Sequence, residues 1–250
     1  MENKETNETN ETNKINWNKL YTYPPCSRSS SSGERLYNIG KAKLPSVTTI
    51  LQATMPEEKK QKLAEWRLRV GENKAEDIKN SAATRGTAMH TYLEHYIDDK
   101  GLLDLSDEGR VARAMAKTII DKGFQDLTEL WGSEVTLFYE GLYAGATDAV
   151  GVYQGRDSII DFKQSNKPKR DEYITDYKLQ MAAYATAHDQ MHGTSIEQGV
   201  ILMCTPDNFF QRFIINGSEF RKCRLEWLKR VDQYYEIMEK KNKSLAASVE

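Results

Sequence analysis

Residues 141–164 carry the pattern that most constrains the fold, because two consecutive segments read as β-strands and each contains an acid. The second segment, SIIDFKQ (158–164), joins a β-branched run to an alternation with Asp161 and Lys163 on one face and Phe162 on the other. Asp148 lies in the preceding segment, so a strand pair would bring it close to Asp161 and Lys163. The pattern predicts that these three side chains meet at one end of a sheet.

Two carboxylates and a lysine in this arrangement suit metal-assisted cleavage of a phosphodiester. The carboxylates can hold a hard cation that polarises the phosphate and acidifies a bound water. Lys163 can position that water or stabilise charge developing on the phosphorus centre. The alternative is an exposed ion pair at a strand end, which accounts for most isolated Asp-x-Lys patterns.

Composition narrows the class of protein further. The 250 residues carry a net charge of −2, and the acidic ETN repeat of residues 1–14 contributes all of it, so the remainder is neutral. Neutrality argues against coating nucleic acid by bulk charge but leaves local patches open. We expect no membrane helix or secretory signal, because the chain has neither a long apolar run nor an apolar start. Three widely spaced cysteines predict neither a disulfide framework nor a metal–thiolate cluster.

The domain organisation follows from shifts in composition. We expect a disordered acidic tail over residues 1–14 and a loosely ordered arm over 15–43, which contains the linker-like SRSSSSG. Residues 44–250 are predicted to form a single domain, with a helical part (44–123), a sheet core (133–215) and a C-terminal helix (218–243). Strands grouped between helices predict an α/β fold with a mixed sheet of about five strands.

Three further candidates support the metal-site interpretation, and each has an ordinary structural alternative. His90 follows Arg85-Gly86-Thr87 on a predicted helix and can ligate a metal, although isolated helix histidines are commonly half-buried and satisfied. Gln180 and Tyr184 are four residues apart, so they project from one helix face; alternatively they are a rim glutamine and a core tyrosine.

Strand and loop positions complete the candidate site. Glu134 opens the strand SEVTLFY, where it either reaches the metal or is simply exposed. Lys167 and Lys169 follow the Lys163 strand in the loop SNKPKRD, where a substrate backbone would pass.

Four segments together resemble the RecB-type branch of the PD-(D/E)XK nuclease superfamily. They are RGTAMH (85–90), GATDAV (145–150), IIDFK (159–163) and QMAAY (180–184), in the family's order. LPSVTTILQATMP (44–56) and the SNKPK after DFK look like the mitochondrial genome maintenance exonuclease family and its phage and bacterial relatives. The resemblance covers roughly residues 44–215 and implies a restriction-endonuclease-like core with an N-terminal helical elaboration.

The resemblance also implies roles for individual residues. His90, Asp148, Asp161 and the main-chain carbonyl of Phe162 would bind Mg²⁺ or Mn²⁺, with Glu134 as an additional ligand. Lys163 would activate or orient the attacking water, and Gln180 with Tyr184 would complete the catalytic set. Single-stranded DNA would thread through a helical arch, for which we consider helices 57–70 and 107–122. The DNA-binding candidates are Arg85, Lys167, Lys169, Arg110 and Arg113, with Trp66, Arg67, Arg69 and Lys117 beside them on these helices.

These expectations combine into a metal-dependent DNA exonuclease that acts on single strands or DNA ends during replication, repair or recombination. Relatives with an iron–sulfur cluster need four cysteine ligands, and this chain has three, so we expect no cluster. We expect a monomer that binds DNA and works with replication or recombination proteins. We place it in the cytoplasm of a bacterium or phage-infected cell rather than the mitochondrial matrix, because no mitochondrial transit pattern is visible. Two alternatives remain: a non-cutting nucleic-acid-binding module on a nuclease fold, and an endonuclease of the same superfamily.

Overall fold

The computed structural model describes residues 15–31, 34–98 and 106–247, so the predicted acidic tail at 1–14 lies outside the described residues. The strands are β1 (Ser27–Ser31), β2 (Glu34–Ile39), β3 (Ala42–Pro45), β4 (Leu127–Tyr139), β5 (Tyr143–Tyr153), β6 (Arg156–Gln164), β7 (Gln198–Cys204) and β8 (Phe210–Asn216). The helices are α1 (Val47–Ala53), α2 (Glu57–Val70), α3 (Glu72–Ile97), α4 (Asp107–Gly123), α5 (Thr175–His192) and α6 (Gly217–Ala247).

The central sheet has the strand order β4-β5-β6-β7-β8. Strands β6 and β7 run parallel, and every other neighbouring pair in this sheet is antiparallel. Helix α5 connects the parallel pair, as a parallel connection requires a crossover. The prediction of an α/β fold with a five-stranded mixed sheet is therefore confirmed. Strand β4 begins at Leu127, earlier than the predicted start near residue 133.

Helices cover both faces of this sheet. On one face α1, α5 and α6 bury an apolar layer that includes Leu179 and Trp227. On the other face α3 and α4 bury a second layer that includes Leu93 and Met115. Helices α3 and α4 therefore lie on one side of the strands that carry the candidate acids, and helix α5 lies on the other side.

The side-chain alternation of β6 decides which layer each candidate residue faces. Ile159 packs in the layer of α5, whereas Ile160 and Phe162 pack in the layer of α3 and α4. Asp161 and Lys163 share the parity of Ile159, so they face α5. The predicted alternation of acid, phenylalanine and lysine along this strand is thus present.

The segment expected to be a loosely ordered arm is instead largely a second sheet. Strands β1, β2 and β3 form a three-stranded antiparallel sheet, with Tyr37 and Leu44 buried against Ala144 of β5. The prediction was wrong because the serine-rich composition resembles that of a linker, although Ser27–Ser31 pair with β2, which in turn pairs with β3.

Helix α2 begins and ends where the sequence predicts, but its apolar stripe does not pack into a core. Among its residues none is buried, and the side chains of Leu63 and Leu68 are exposed. Its first turn is held to α5 by an ion pair between Lys59 and Asp176, and Arg67 in its last turn pairs with Glu76 of α3. Within the described residues, no helix has the length and apolar character needed to cross a membrane.

Candidate active site

The strand register aligns three carboxylates across the central sheet. Ser133 pairs with Ala149 and Val135 with Thr147, so Glu134 of β4 stands opposite Asp148 of β5. Ala149 pairs with Ile160, so Asp148 in turn stands one step beyond that pair, opposite Asp161 of β6. Three consecutive strands therefore each contribute one acid to the same row, because the register of the two strand pairs happens to match at this position.

Asp148 occupies the middle of the row and is almost completely buried, with 9% of its surface exposed. Its Oδ2 accepts a hydrogen bond of 2.6 Å from the main-chain N–H of Phe162, and its Oδ1 lies 3.4 Å from Nδ1 of His90. Burial opposes ionisation of this carboxyl, but attraction from His90 and the neighbouring donors prevails and lowers the pKa of Asp148. Asp148 is therefore an anion near neutral pH.

Asp161 and Lys163 form an ion pair from the same face of β6. Burial raises the pKa of Asp161 to about 6, and the attraction of Lys163 moderates this rise. Burial would lower the pKa of Lys163, but attraction from Asp161 and Asp148 outweighs it and raises the pKa. The lysine consequently stays an ammonium ion, with its Nζ 5.2 Å from the ring centroid of Tyr177 on α5.

His90 reaches the site from α3, on the opposite side of the sheet from α5. Burial alone would lower the pKa of His90, but the adjacent Asp148 carboxylate raises it to about 8. Its ring also makes an edge-on contact with Phe162, at 6.3 Å between centroids. The acids face α5, and His90 approaches them from the α3 side of the sheet.

Glu134 has an unusual backbone conformation at the edge of the row. Its φ of 51° lies in the left-handed region, which is uncommon for a residue with a side chain and recurs at functional sites. Burial of the carboxyl group in the cavity wall is the main cause that raises the pKa of Glu134 to about 7, and repulsion from Asp148 is the second. The residue as a whole is nevertheless solvent-exposed. Glu134 therefore lies beside Asp148 in the row of carboxylates, and it is also exposed to solvent.

Gln180 and Tyr184 project from α5 toward the same site, as their spacing predicts. Gln180 Nε2 donates a 3.0 Å hydrogen bond to Tyr184 Oη, and the tyrosine is buried. The Tyr184 ring packs against Gly145, where an added Cβ would lie only 2.6 Å from Cε1 of the ring. Glycine in the GATDAV segment therefore allows α5 to approach β5 closely.

The candidate residues surround one cavity of about 450 Å³. His90, Glu134, Asp148, Asp161, Lys163, Gln180 and Tyr184 all line it. Sequence reasoning missed Arg28, Arg35 and Tyr37 of the small sheet, which line the cavity as well. Their signal was the alternation in Arg35-Leu36-Tyr37, which sets the two outer residues on one face of a strand.

The basic DNA-binding candidates are arranged differently. Arg85 does not point freely into the cavity, because its guanidinium donates to Gln164 at 3.1 Å and to Asn166, fastening α3 to the loop after β6. The main chain of Lys169 exchanges two hydrogen bonds with the side chain of Gln211. Lys167, Arg110 and Arg113 are exposed, and the structure leaves them outside the cavity wall.

The donor set fits a divalent cation. Ligand atoms of His90, Glu134 and Asp148 lie within 4.8 Å of one another. Asp161 Oδ2 is buried and, among the described residues, accepts no hydrogen bond, although Lys163 lies against it. Carboxylate oxygens with one imidazole suit Mg²⁺ or Mn²⁺. The residues present therefore fit a divalent cation.

Comparisons with known proteins agree with the resemblance seen in the sequence. No protein-family model matches the chain. The chain is 28% identical over 211 residues to mitochondrial genome maintenance exonuclease 1 of Homo sapiens, which covers 81% of the chain and 60% of that protein. It is 30% identical over 215 residues to the Xenopus tropicalis protein of the same name, with 80% and 60% covered. The predicted resemblance to exonucleases of the PD-(D/E)XK type is confirmed.

These matches are partial in extent. The chain spans about three-fifths of the length of the human and frog relatives. Among solved structures, a proposed exonuclease from Eubacterium rectale is similar with a TM-score of 0.45 and 17% identity, over 61% of this chain and 64% of that one.

Proposed function

We propose that this chain is a divalent-metal-dependent DNA exonuclease that hydrolyses phosphodiester bonds in genome maintenance. The observation that carries the proposal is the convergence of Asp148, Asp161, Lys163 and His90 in one cavity. A binding module would have no need of two buried carboxylates beside a half-buried ammonium, because removing such charges from water is costly. The exonuclease relatives support the same activity.

Each residue has a distinct part in the proposed reaction. Asp148 and Asp161, with His90, would hold Mg²⁺ or Mn²⁺, and the main-chain carbonyl of Phe162 and the Glu134 carboxylate would complete the set. The bound ion would polarise the phosphate and acidify a water. Attraction from Asp161 and Asp148 raises the pKa of Lys163 and favours its ammonium form, in which it would place a positive charge beside the reacting phosphate or orient the attacking water.

Gln180 and Tyr184 serve as positioning residues in this scheme. The hydrogen bond between them fixes the amide of Gln180 at the cavity wall. From there the amide orients a phosphate oxygen or the Lys163 ammonium. The phenol is buried, and burial raises its pKa well above the ordinary value, so it remains a neutral brace.

A preference for single strands or DNA ends follows from α2. This 14-residue helix, about 20 Å long at 1.5 Å per residue, joins α5 at Lys59 to α3 at Arg67. It thus extends from a helix of one layer to a helix of the other and leaves Leu68 84% exposed. Such a helix forms an arch under which one strand can pass, where exposed apolar and basic side chains contact bases and phosphates.

Degradation of end-labelled single-stranded DNA in the presence of Mg²⁺ tests the proposal. Lys163→Ala and Asp161→Asn should each reduce the rate by at least two orders of magnitude, since each removes charge that the transition state requires. Asp157→Asn is the matched control, because Asp157 lies on the same strand and is exposed at its other end. Undiminished cleavage in both site variants would rule the mechanism out.

A circular single-stranded substrate separates the exonuclease from the endonuclease alternative. An exonuclease needs a free end and should leave the circle intact while it degrades the linear form of the same sequence. Linearisation of the circle would favour the endonuclease. Binding of both forms without cleavage, and without dependence on Asp161, would favour the binding module.

A further inference from the structure

The small N-terminal sheet is fastened to the catalytic end of the central sheet. The main-chain carbonyl of Arg35 accepts hydrogen bonds from Ser46 N at 3.0 Å and from Thr49 Oγ1 at 3.2 Å. Ser46 also forms a bridge with Ala144 of β5. These attachments use the backbone of Arg35, so its position beside the cavity does not depend on its own guanidinium.

One face of this sheet forms a wall of the active-site cavity. Arg28 of β1 pairs directly with Tyr37 of β2, and Arg35 lies two residues before Tyr37, so all three share a face. All three line the cavity. Lys43 of β3 pairs with Asn38, which has the opposite parity to Tyr37, so it belongs to the other face of the same sheet.

The two arginines bring positive charge to a cavity whose floor is acidic. Within the described part of the chain, neither guanidinium forms an ion pair with a carboxylate, and both residues are exposed. Arg28 attracts the Glu134 carboxylate and so opposes the rise in its pKa, but the two groups are not close enough to form an ion pair. Several cations of α2 and α4 are already engaged in ion pairs, as Arg67 is with Glu76 and Lys117 with Asp121.

We propose that Arg28 and Arg35 bind a backbone phosphate of the DNA strand adjacent to the one being hydrolysed. This inference rests on the proposed nuclease function. It assigns substrate binding to the cavity wall formed by the small sheet, opposite the carboxylates. Guanidinium groups match phosphate in a planar two-pronged geometry and stay charged at any physiological pH. A cavity of about 450 Å³ holds more than one phosphodiester group, so the neighbouring nucleotide reaches this wall.

Binding at this wall recognises the backbone and not the bases, so it sets affinity rather than sequence preference. It also gives the small sheet a role in catalysis that its serine-rich sequence conceals. With Lys163 at the scissile phosphate and the two arginines at its neighbour, the strand is held at two consecutive points. This fixes which phosphodiester lies over the acids.

Fluorescence anisotropy with a labelled oligodeoxythymidylate in EDTA measures binding without cleavage. Arg28→Ala and Arg35→Ala should each weaken binding on the order of tenfold, the reduction expected when one charge-assisted hydrogen bond is removed. The slope of log K against log salt should become shallower by about 0.7 for each phosphate of a single strand that the variant no longer neutralises. Arg35→Lys should keep the wild-type salt slope and recover part of the affinity, because it retains the charge alone.

Two control variants make the result specific. Lys43→Ala removes a cation from the back of the same sheet, and Arg156→Ala removes an exposed arginine at the start of β6. Both should bind with wild-type affinity. In Mg²⁺, the two wall variants should show a raised KM with a kcat close to wild type.

The outcomes distinguish this inference from the proposed function. Wild-type affinity and salt slope in both wall variants, alongside metal-dependent cleavage by the wild type, would overturn the inference and leave the nuclease standing. Absence of metal-dependent cleavage by the wild type would overturn both. Weakened binding in the wall variants with unchanged binding in the controls is the expected result.

Discussion

Acid should destabilise this protein through one buried histidine, His188 of α5, which has no exposed surface. Tyr23 Oη lies 3.1 Å from its Nε2, and Thr194 Oγ1 lies 2.8 Å from its Nδ1. Thr194 donates its own proton to Asp189 at 2.7 Å, so it accepts from Nδ1–H, and Nε2 accepts from Tyr23. Asp189 is itself neutralised by Arg224 at 2.6 Å. The network therefore holds His188 as a neutral imidazole.

The magnitude follows from the pKa. Burial, and then the neighbouring His192, lower the pKa of His188 to about 3. In the unfolded chain the pKa of this histidine is about 6.5. Below that pH the unfolded state binds a proton at His188, whereas the folded state does not. Stability is then lost as the pH falls. At pH 5, about 1.5 units below the unfolded value, the loss is about 2 kcal/mol at roughly 1.4 kcal/mol per unit.

Guanidinium chloride unfolding at pH 7 and pH 5 tests this value in the wild type and in His188→Gln. The variant is less stable overall because it loses packing, but it has no such group to titrate. The wild type should therefore lose about 2 kcal/mol more than the variant between the two pH values. His90 remains in both proteins, so its contribution, which has the opposite sign because its pKa is raised to about 8, cancels. Equal losses would show that His188 is not the source of the acid sensitivity.

Two further predictions concern stability near the site. Gly145→Ala forces a Cβ to within 2.6 Å of the Tyr184 ring, so the free energy of unfolding should fall by about 1–3 kcal/mol; an unchanged denaturant midpoint would show that α5 is free to move. Arg230→Ala removes the donors that a buried guanidinium of α6 gives to Thr54 and, at 2.8 Å, to the carbonyl of Leu51. Its free energy of unfolding should fall by about 2–3 kcal/mol, and Arg230→Lys should restore only part of that loss because lysine cannot reach both acceptors.

The sequence predicted the site well wherever local alternation decides the outcome. In β6 the parity of Asp161 and Lys163 could be read directly, because side chains alternate along any strand. The helix that carries Gln180 and Tyr184 was equally readable from its spacing. His90 was identified through family resemblance rather than through its helix pattern, which by itself fits a half-buried structural residue.

The other features of the site could not be predicted, because they depend on contacts between segments that are distant in the sequence. The alignment of Glu134, Asp148 and Asp161 follows from the registers of two strand pairs, and a shift by one residue would have moved Asp148 to the other face. The left-handed backbone of Glu134 is likewise set by its strand context. Arg28 and Arg35 were missed because their sheet is stabilised by contacts with β5, which is far away in the sequence.

The proposed mechanism depends above all on a divalent cation held by Asp148 and Asp161, and calorimetric titration with Mn²⁺ measures this without reference to catalysis. Asp148→Asn is the informative variant, because it keeps an oxygen acceptor for the Phe162 N–H while removing the charge. Asp157→Asn provides the matched control on the neighbouring strand. We expect saturable Mn²⁺ binding in the wild type and in Asp157→Asn, and at least tenfold weaker binding in Asp148→Asn. Equal Mn²⁺ affinity in all three proteins, or no binding by the wild type, would contradict the proposed metal site.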